Sequence, residues 1–545
     1  MGMWVKFAGS PTVRVAAFPT LCAVGFTILA MGLQHHMGGY SADLSNTGDE
    51  AGHFTTAAMI HDYITQAIGT SPLKFAVDYY GHFPRVSFGH WPPLFHIAQA
   101  VAFIATGVGK NAALWLQAAI FGVLGVTVAG VVARRTRWWV GLCAAAVLLS
   151  NPQATYQLNT IMLDNLLGLL VLLSALAWAV YARTGTMRAS IAFGICASAA
   201  IMTKGNAYGL ALLPVLHAVL SGRVGLLLAP RTFVSAAIVL VVTGPWYALT
   251  YKIASDGFVY HWGLDYSRIA VPVFVAGLAG IMGAVGLMLF LAGTALSVRR
   301  AWAGTRDDVV LACAAAAAGM MIFQCIVPAD ISPRYVISIF PSAVVVVALS
   351  LDKLIRLARP SLSPGAMSAV LAAVLLIDAG IVFHLPHLGS NKMDLVAQDI
   401  MADPDDRPLV LVSSNSYGEG ALIAAFAELD RARTHYVVRA TKALSSSDFM
   451  GRGYRARFDS PGDVAHWIEA SRIGWVVITI PLKPTEMLHE REMIELAATP
   501  PSNWRYVSEQ HTINGVTQLY KVEGPAASQA DIESVIRQVA PTKIM

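Results

Sequence analysis

The chain has 545 residues, of which 56% are hydrophobic and 13% are charged, and its formal net charge is +5. This composition, with many long uninterrupted apolar stretches, excludes a large soluble core and indicates a multi-pass membrane protein. The positive charge comes from Lys and Arg at loop positions, and the sequence contains no recognisable nucleic-acid-binding module, so we predict no nucleic-acid partner.

Eleven apolar segments predict α-helices that span the bilayer. They lie at residues 13–33, 112–133, 138–150, 165–182, 189–203, 206–221, 232–251, 270–293, 308–328, 335–351 and 365–386. A further apolar segment, residues 94–108, is a candidate twelfth span. If it does not span, the Lys and Arg clusters of the other loops all face one side, as the positive-inside rule requires. We therefore predict a juxtamembrane or re-entrant segment that begins at Pro92-Pro93.

The predicted topology divides the chain into two parts. Residues 1–388 form a transmembrane module with a cytoplasmic N-terminus and a first external loop at 34–111, and residues 389–545 form an external domain. The first span is longer than the core of a signal peptide, so we expect an uncleaved helix. The five cysteines lie in apolar segments and predict neither a disulfide nor a metal framework. The compact loops favour a bacterial inner membrane, with the external domain in the periplasm.

Beyond residue 407 the long apolar runs give way to short strands and amphipathic helices, which predicts a small α/β domain. The strands are expected at 409–413, 435–439, 475–480, 504–508 and 516–522, and the helices at 417–429, 461–472 and 484–498. A hairpin is expected around Asn514-Gly515. The polar loop 413–420 joins a strand to a helix and is either a ligand-binding loop or an ordinary connecting turn.

Polar side chains from five separate loops share the predicted external side. They are Asp49, Glu50, His90, Asp164, Lys204, Asp265, Arg268, Asp330 and Arg334. Ionised groups at a membrane boundary often mark functional sites, so we expect these side chains to converge on one cavity. Each type also has an ordinary structural role, because acids favour helix N-termini and Lys or Arg side chains extend toward the membrane interface.

Six short motifs occur in order along residues 10–390. They are Gly48-Asp49-Glu50, Gly89-His90-Trp91-Pro92-Pro93-Leu94, Asn151-Pro152 with Asp164, Thr203-Lys204-Gly205, Pro245-Trp246, and Pro333-Arg334-Tyr335 with Pro341. Together they resemble the motifs of the GT-C glycosyltransferases, a superfamily that includes protein O-mannosyltransferases and lipid A aminoarabinose transferases. This chain departs from the pattern at Trp91, where aminoarabinose transferases commonly carry Lys and protein O-mannosyltransferases commonly carry His.

The resemblance implies an α-helical GT-C fold with about 11 to 12 transmembrane helices, joined here to an extramembrane α/β domain. It also implies transfer of a sugar from a polyprenyl-phosphate donor to a lipid, glycan or protein acceptor. Asp49 is then the candidate general base that takes the acceptor proton, with inversion at the anomeric carbon. The other candidates are Glu50 and Asp164 for catalysis, and Lys204, Arg334 and His90 for the donor phosphate.

Two questions stay open at the level of the sequence. A divalent metal is conceivable because Asp49 and His53 are four residues apart, near His35, His36 and His61, but no compact two-His motif with a matching acid is present, so we predict no metal site. The alternatives to an enzyme are a transporter or flippase for a lipid-linked saccharide and a membrane sensor with an external ligand-binding domain. The concentration of polar residues at one surface argues against the transporter.

Overall fold

The computed structural model of this protein describes residues 11–539, except 88, 360, 406, 448–450 and 513. Most of the chain up to residue 382 is helical, and a mixed sheet with flanking helices follows. Residues 1–10, for which the sequence predicts a cytoplasmic location, lie outside the described residues.

The first part of the chain is built from helices joined by short loops. The α-helices are α1 (Pro11–His36), α2 (Glu50–Gln66), α3 (Pro72–His82), α4 (Leu94–Thr106), α5 (Lys110–Ala133), α6 (Trp138–Ser150), α7 (Pro152–Asn159), α8 (Asp164–Thr184), α9 (Met187–Ile201), α10 (Leu212–Leu220), α11 (Pro230–Asp256), α12 (Leu264–Trp302), α13 (Asp308–Ile326), α14 (Phe340–Ala358) and α15 (Pro364–Val382). Short 3-10 helices lie at Gly205–Ala211, Val224–Leu228 and Pro333–Ile339. Among the described residues, seven helical segments are long and apolar enough to cross a membrane.

Each of the eleven segments that the sequence predicts to span coincides with helix in the structure. The largest difference is α12, whose 39 residues extend well beyond the predicted 270–293. Its additional turns carry Asp265 near the N-terminus and Arg299 and Arg300 near the C-terminus, where these charges complement the helix dipole. Gly283 interrupts the helix with a positive φ of 68°, a conformation that costs glycine little.

Helix α4, the ambiguous apolar segment of the sequence, is 13 residues long. It is therefore shorter than the about 20 residues that a helix needs to span the hydrocarbon core. The N–H of Leu94 at its start donates to the carbonyl of Met202, 2.9 Å away, just beyond the end of α9. This contact brings the Pro92-Pro93 motif beside the segment that carries Lys204. The side of the membrane on which each loop lies stays a prediction.

The C-terminal part is an α/β domain around a five-stranded sheet with strand order β2-β1-β5-β7-β6. Its elements are α16 (Met393–Met401), β1 (Leu409–Ser413), α17 (Ser416–Leu429), β2 (Tyr436–Arg439), α18 (Ala440–Ala443), β3 (Ser445–Ser446), β4 (Arg455–Ala456), α19 (Pro461–Ala470), β5 (Trp475–Pro481), α20 (Leu488–Ala498), β6 (Trp504–Thr512), β7 (Gly515–Val522) and α21 (Gln529–Val539). Strand β1 pairs in parallel with β2 and β5, whereas β7 is antiparallel to β5 and β6. The five predicted strands and the hairpin at Asn514-Gly515 are confirmed.

The α/β domain is attached to the first external loop by a linker and by a helix. Oδ2 of Asp43, in the first loop, accepts the N–H groups of Asn391 and Met393 at the end of the linker, both at 3.1 Å. Helix α17 packs on α2, and the buried carboxylate of Asp62 on α2 accepts a hydrogen bond from Arg431. The loop that leads to Asp49 is therefore held between the transmembrane helices and the α/β domain. The domain boundary at 388/389 stays a prediction.

Candidate active site

Asp49 and Arg334, which the sequence singles out from motifs 285 residues apart, form an ion pair. Nη2 of Arg334 donates to Oδ2 of Asp49 at 2.7 Å. Asp49 occupies the N-cap position of α2, but its side chain makes no capping hydrogen bond. Its carboxylate therefore points to the arginine rather than to the helix backbone. The two side chains are 28% and 27% exposed, so the pair remains accessible to a ligand.

A second ion pair joins Asp164 and Lys204. Nζ of Lys204 donates to Oδ1 of Asp164 at 2.7 Å. Asp164 begins α8 and is fully buried, and its Oδ2 atom has no hydrogen-bond partner in the part of the chain that the structure describes. A buried carboxylate needs a compensating charge. Lys204 supplies that charge, and the same contact with Asp164 fixes the position of the lysine ammonium group.

Tyr335 lies between the two ion pairs. Its ring centroid is 4.5 Å from Nζ of Lys204 and 5.3 Å from the guanidinium carbon of Arg334. These distances are within the range of cation–π attraction. Its hydroxyl donates to Oδ2 of Asp330 at 2.9 Å. Asp49, Arg334, Tyr335, Lys204 and Asp164 thus form one group of side chains, which we call the ion-pair cluster.

Glu50 lies next to the ion-pair cluster but faces the backbone. Its Oε1 accepts the N–H of Ile161 at 3.2 Å and its Oε2 accepts the N–H of Asn46 at 3.3 Å. The side chain is 2% exposed, and burial raises its pKa to about 8 against the opposing effect of these backbone hydrogen bonds. Glu50 is therefore mostly protonated at neutral pH. It ties the loop before α2 to the loop before α8.

Arg85 is a cation of the site that sequence reasoning missed. Its Nη2 donates to the carbonyl of Gly48, the residue before Asp49. Burial and the charge of Arg439 lower its pKa to about 10, while Asp49 and Glu419 oppose that shift. The guanidinium remains charged at neutral pH. It lies in no motif, and its neighbours in the sequence are apolar or aromatic, so no local signal distinguished it.

The histidines of the first external loop pack with aromatic side chains. Nδ1 of His53 lies 3.0 Å from Nε2 of His96, and the His53 ring is 4.5 Å from the Trp91 ring. Burial, followed by the charges of His96, Lys204 and Arg334, holds the pKa of His53 well below its usual value. His90 packs beside Trp91. His90 thus contacts the Trp91 ring that packs on His53, and its proposed contact with a phosphate stays a prediction.

The described residues contain no group of three His, Cys, Asp or Glu side chains placed to hold a metal ion. Asp49 is paired with Arg334, and His61 contacts Asp62 at 2.9 Å. The spacing of Asp49 and His53 along α2 therefore brings no third ligand to them in this part of the chain. The donor set does not fit a divalent cation at this position.

The structure brings together most, but not all, of the polar residues that the sequence placed on the external side. Asp49, Asp164, Lys204 and Arg334 belong to the ion-pair cluster, and Asp330 joins it through Tyr335. Asp265 and Arg268 instead pair with each other at 3.0 Å, where the Asp265 side chain is 93% exposed. Their i,i+3 spacing on α12 explains this separate contact.

The arrangement of the helical bundle and the α/β domain is the GT-C fold, as comparison with solved structures shows. One similar structure is ArnT from Cupriavidus metallidurans bound to undecaprenyl phosphate, with a TM-score of 0.55, 16% identity, and coverage of 93% of this chain and 100% of that chain. Another is the oligosaccharyltransferase AglB from Archaeoglobus fulgidus in complex with an inhibitory peptide and a dolichol-phosphate, with a TM-score of 0.51, 12% identity, and coverage of 84% and 69%.

These similarities confirm the resemblance that the sequence motifs indicated. They also extend it, because a coverage of 93% of this chain reaches well beyond residue 390 and into the α/β domain. No protein-family model and no curated protein sequence matches the chain. At identities of 12–16% the structural similarity establishes the fold.

Proposed function

We propose that this protein is an integral-membrane glycosyltransferase. It transfers a sugar from a polyprenyl-phosphate donor to a lipid, glycan or protein acceptor at the external face of a bacterial inner membrane. The observation that carries the proposal is the Asp49–Arg334 ion pair, which joins a candidate base to a candidate phosphate-binding cation at a partly exposed position. The resemblance to lipid-phosphate-dependent enzymes and the polyprenyl phosphates bound by ArnT and AglB support it.

In the proposed reaction, Asp49 takes the proton of the acceptor hydroxyl as the acceptor oxygen forms a bond to the anomeric carbon. The bond from that carbon to the phosphate oxygen breaks on the opposite face, and the lipid phosphate leaves with its electron pair. A single displacement of this kind inverts the anomeric configuration. A positioned base contributes about 10²- to 10⁴-fold to such a step.

The cations of the ion-pair cluster neutralise the departing phosphate in this proposal. Arg334 has five N–H donors in a planar fork, and the Asp49 contact uses one of its terminal nitrogens. The remaining donors suit two phosphate oxygens at once. Lys204 adds a point charge held in place by Asp164. Asp164 therefore acts on the reaction through Lys204, and Glu50 acts through the loops that it joins.

The proposal is tested by reconstituting the purified protein in lipid vesicles with a panel of radiolabelled polyprenyl-phosphate sugars. Transfer of label to a membrane lipid and glycan extract is measured for wild type, Asp49→Asn and Asp265→Asn. The Asp265 variant is the matched control, because that carboxylate is also external and ion-paired but exposed and outside the ion-pair cluster. We expect transfer by wild type and the control, and none by Asp49→Asn.

Each other outcome points to a different conclusion. Normal transfer by Asp49→Asn removes Asp49 as the base. Movement of intact lipid-linked saccharide across the bilayer without transfer indicates a flippase. If no donor of the panel gives transfer or movement across the bilayer, the alternative of a membrane sensor is favoured. The anomeric configuration of the product, read by NMR, tests inversion separately.

A further inference from the structure

Tyr417 of the α/β domain lies against the loop that carries Asp49. It occupies the first turn of α17, where Oδ1 of Asn415 accepts the N–H groups of Tyr417 and Gly418 at 3.1 and 3.0 Å. A Cβ atom on Gly48 would lie 2.9 Å from Cε1 of Tyr417. The ring therefore packs directly on the residue that precedes Asp49. The side chain is nevertheless 46% exposed, so much of its surface is open.

The start of α17 is fixed against the first external loop. A Cβ on Gly420 would lie 3.1 Å from Cβ of Ala51 and 3.3 Å from Nε of Arg85. A larger residue at position 420 would require these neighbours to move by a few tenths of an ångström, so glycine suits this close approach of α17 to α2. The buried carboxylate of Glu419 accepts from Nε of Arg439 at 2.8 Å and from the N–H of Thr441 at 2.9 Å. These contacts hold the first turn of α17, which carries Tyr417, in place relative to the loop of Asp49.

A second aromatic side chain, that of Tyr156 on α7, contacts the loop that leads to Asp49. Its hydroxyl donates to the carbonyl of Asn46 at 2.7 Å. Burial, with the nearby Glu50 and Tyr417 groups adding to it, raises the pKa of Tyr156 to about 12. The loop of residues 46–49 is therefore bordered by two tyrosines, one from the transmembrane module and one from the α/β domain.

We propose that Tyr417 forms one wall of a sugar-binding subsite beside Asp49, so that the α/β domain takes part in substrate recognition. This inference rests on the proposed function, and it assigns a role to a domain that the sequence motifs do not cover. A rigid tyrosine offers an apolar ring face and a hydroxyl at a low cost in side-chain entropy. That combination suits the C–H face and hydroxyls of a sugar ring, carried either by the donor or by the acceptor.

Photo-crosslinking tests the subsite without requiring turnover. The full-length protein is prepared in vesicles with p-benzoylphenylalanine in place of Tyr417, and, as the matched control, in place of Tyr506. Tyr506 lies in the same domain and is 50% exposed. Each protein is irradiated with the panel of polyprenyl-phosphate sugars labelled in the sugar, or with a sugar-labelled membrane lipid and glycan extract.

We expect labelling at position 417 well above that at position 506. Labelling from the donor panel assigns the subsite to the donor sugar, and labelling from the extract assigns it to the acceptor. Equal labelling at the two positions with both probes overturns the inference, even if wild-type protein transfers sugar. If position 417 is labelled but the wild-type protein does not transfer sugar, the subsite is supported and the proposed transferase function is rejected.

A kinetic measurement separates recognition from a structural role. Tyr417→Ala is expected to raise the KM for the sugar-bearing ligand about tenfold, as loss of one aromatic contact predicts, with kcat nearly unchanged. Tyr417→Phe keeps the ring and is expected to stay within about threefold of wild type. Gly48→Ala displaces the ring and is expected to resemble Tyr417→Ala. An equal fall of kcat in all three variants with KM unchanged contradicts a recognition role.

Discussion

Charged residues form clusters at both ends of the helical bundle, but the two ends use them differently. Asp307, before α13, accepts from Nη1 of Arg135 at 2.6 Å, from Nζ of Lys353 at 2.5 Å and from the N–H of Val310 at 3.3 Å. Burial raises the pKa of Asp307, yet Lys353 and Arg135 together hold it below its usual value. At the other end, Asp49 and Asp164 contact one cation each.

Helix α14 and the 3-10 helix before it connect the two ends, since Arg334 lies at one end and Lys353 near the other, roughly 30 Å away by helical rise. Two cations and a backbone N–H occupy three of the about four acceptor positions of the Asp307 carboxylate, so this cluster stabilises the fold and leaves little capacity for a ligand. Asp49 instead accepts from a single cation, so its carboxylate keeps acceptor positions available for an acceptor hydroxyl. The same residue types therefore serve structure at the Asp307 end and, in our proposal, chemistry at the Asp49 end.

After Asp49→Asn, for which we expect no transfer, the largest effect is expected from Arg334→Ala. This change removes the cation that we assign to the donor phosphate and leaves Asp49 without its partner, so kcat/KM for the donor should fall about 100-fold. Arg334→Lys retains the charge but not the planar fork, and should recover only part of the loss. Steady-state kinetics on the three proteins in vesicles measure this effect. Wild-type kinetics in Arg334→Ala would show that the pair is structural, like the Asp307 cluster.

Asp164→Asn should have the next largest effect. It removes the carboxylate that holds Lys204, so the ammonium loses its fixed position and the KM for the donor should rise about tenfold. Asp330→Asn is the control, because Asp330 contacts Tyr335 rather than a cation. Donor titrations measure the difference. An unchanged KM in Asp164→Asn would mean that Lys204 needs no carboxylate partner.

Asp307→Asn should affect stability and leave transfer unchanged. Asn can still cap α13, but Lys353 and Arg135 lose their counter-charge, which should lower the free energy of unfolding by about 1–2 kcal/mol. Because the pKa of folded Asp307 is depressed, its contribution is present above the unfolded value of about 4 and disappears as the pH falls through the folded pKa. Thermal unfolding measured between pH 7 and pH 3 should therefore show wild type more stable than the variant at pH 7, and the two proteins similarly stable in acid. Loss of transfer by the folded variant would contradict the contrast between the two ends.

The last prediction concerns Glu50→Gln, for which we expect a change in the pH dependence of stability. The folded pKa of Glu50 is about 8, above the unfolded value of about 4.3. The protonated side chain thus contributes stability that is complete below pH 4.3 and decreases as the pH rises toward 8. Glutamine is always neutral, so the stability of the variant relative to wild type should increase between pH 5 and pH 8. Parallel pH profiles would indicate that Glu50 is ionised in the folded protein.

The helices and strands could be predicted well from the sequence. Each apolar run that predicts a span coincides with helix, and seven helical segments in the described part of the chain are long and apolar enough to cross a membrane. Short β-rich runs and the Asn514-Gly515 turn located the strands of the sheet and its hairpin. The order of the short motifs indicated the GT-C fold. These features depend on residues that are close together in the chain, so periodicity and turn chemistry report them directly.

Only the tertiary structure decided which residues meet. It paired Asp49 with Arg334 across 285 positions and placed Tyr335 between the two ion pairs. It also turned Glu50 toward backbone N–H groups and brought Tyr417 to Gly48. Contacts of this kind depend on how helices pack and how a linker returns the α/β domain to the first loop. Local patterns in the sequence carry no record of that packing, which is why Arg85 and Tyr417 became visible only in the folded chain.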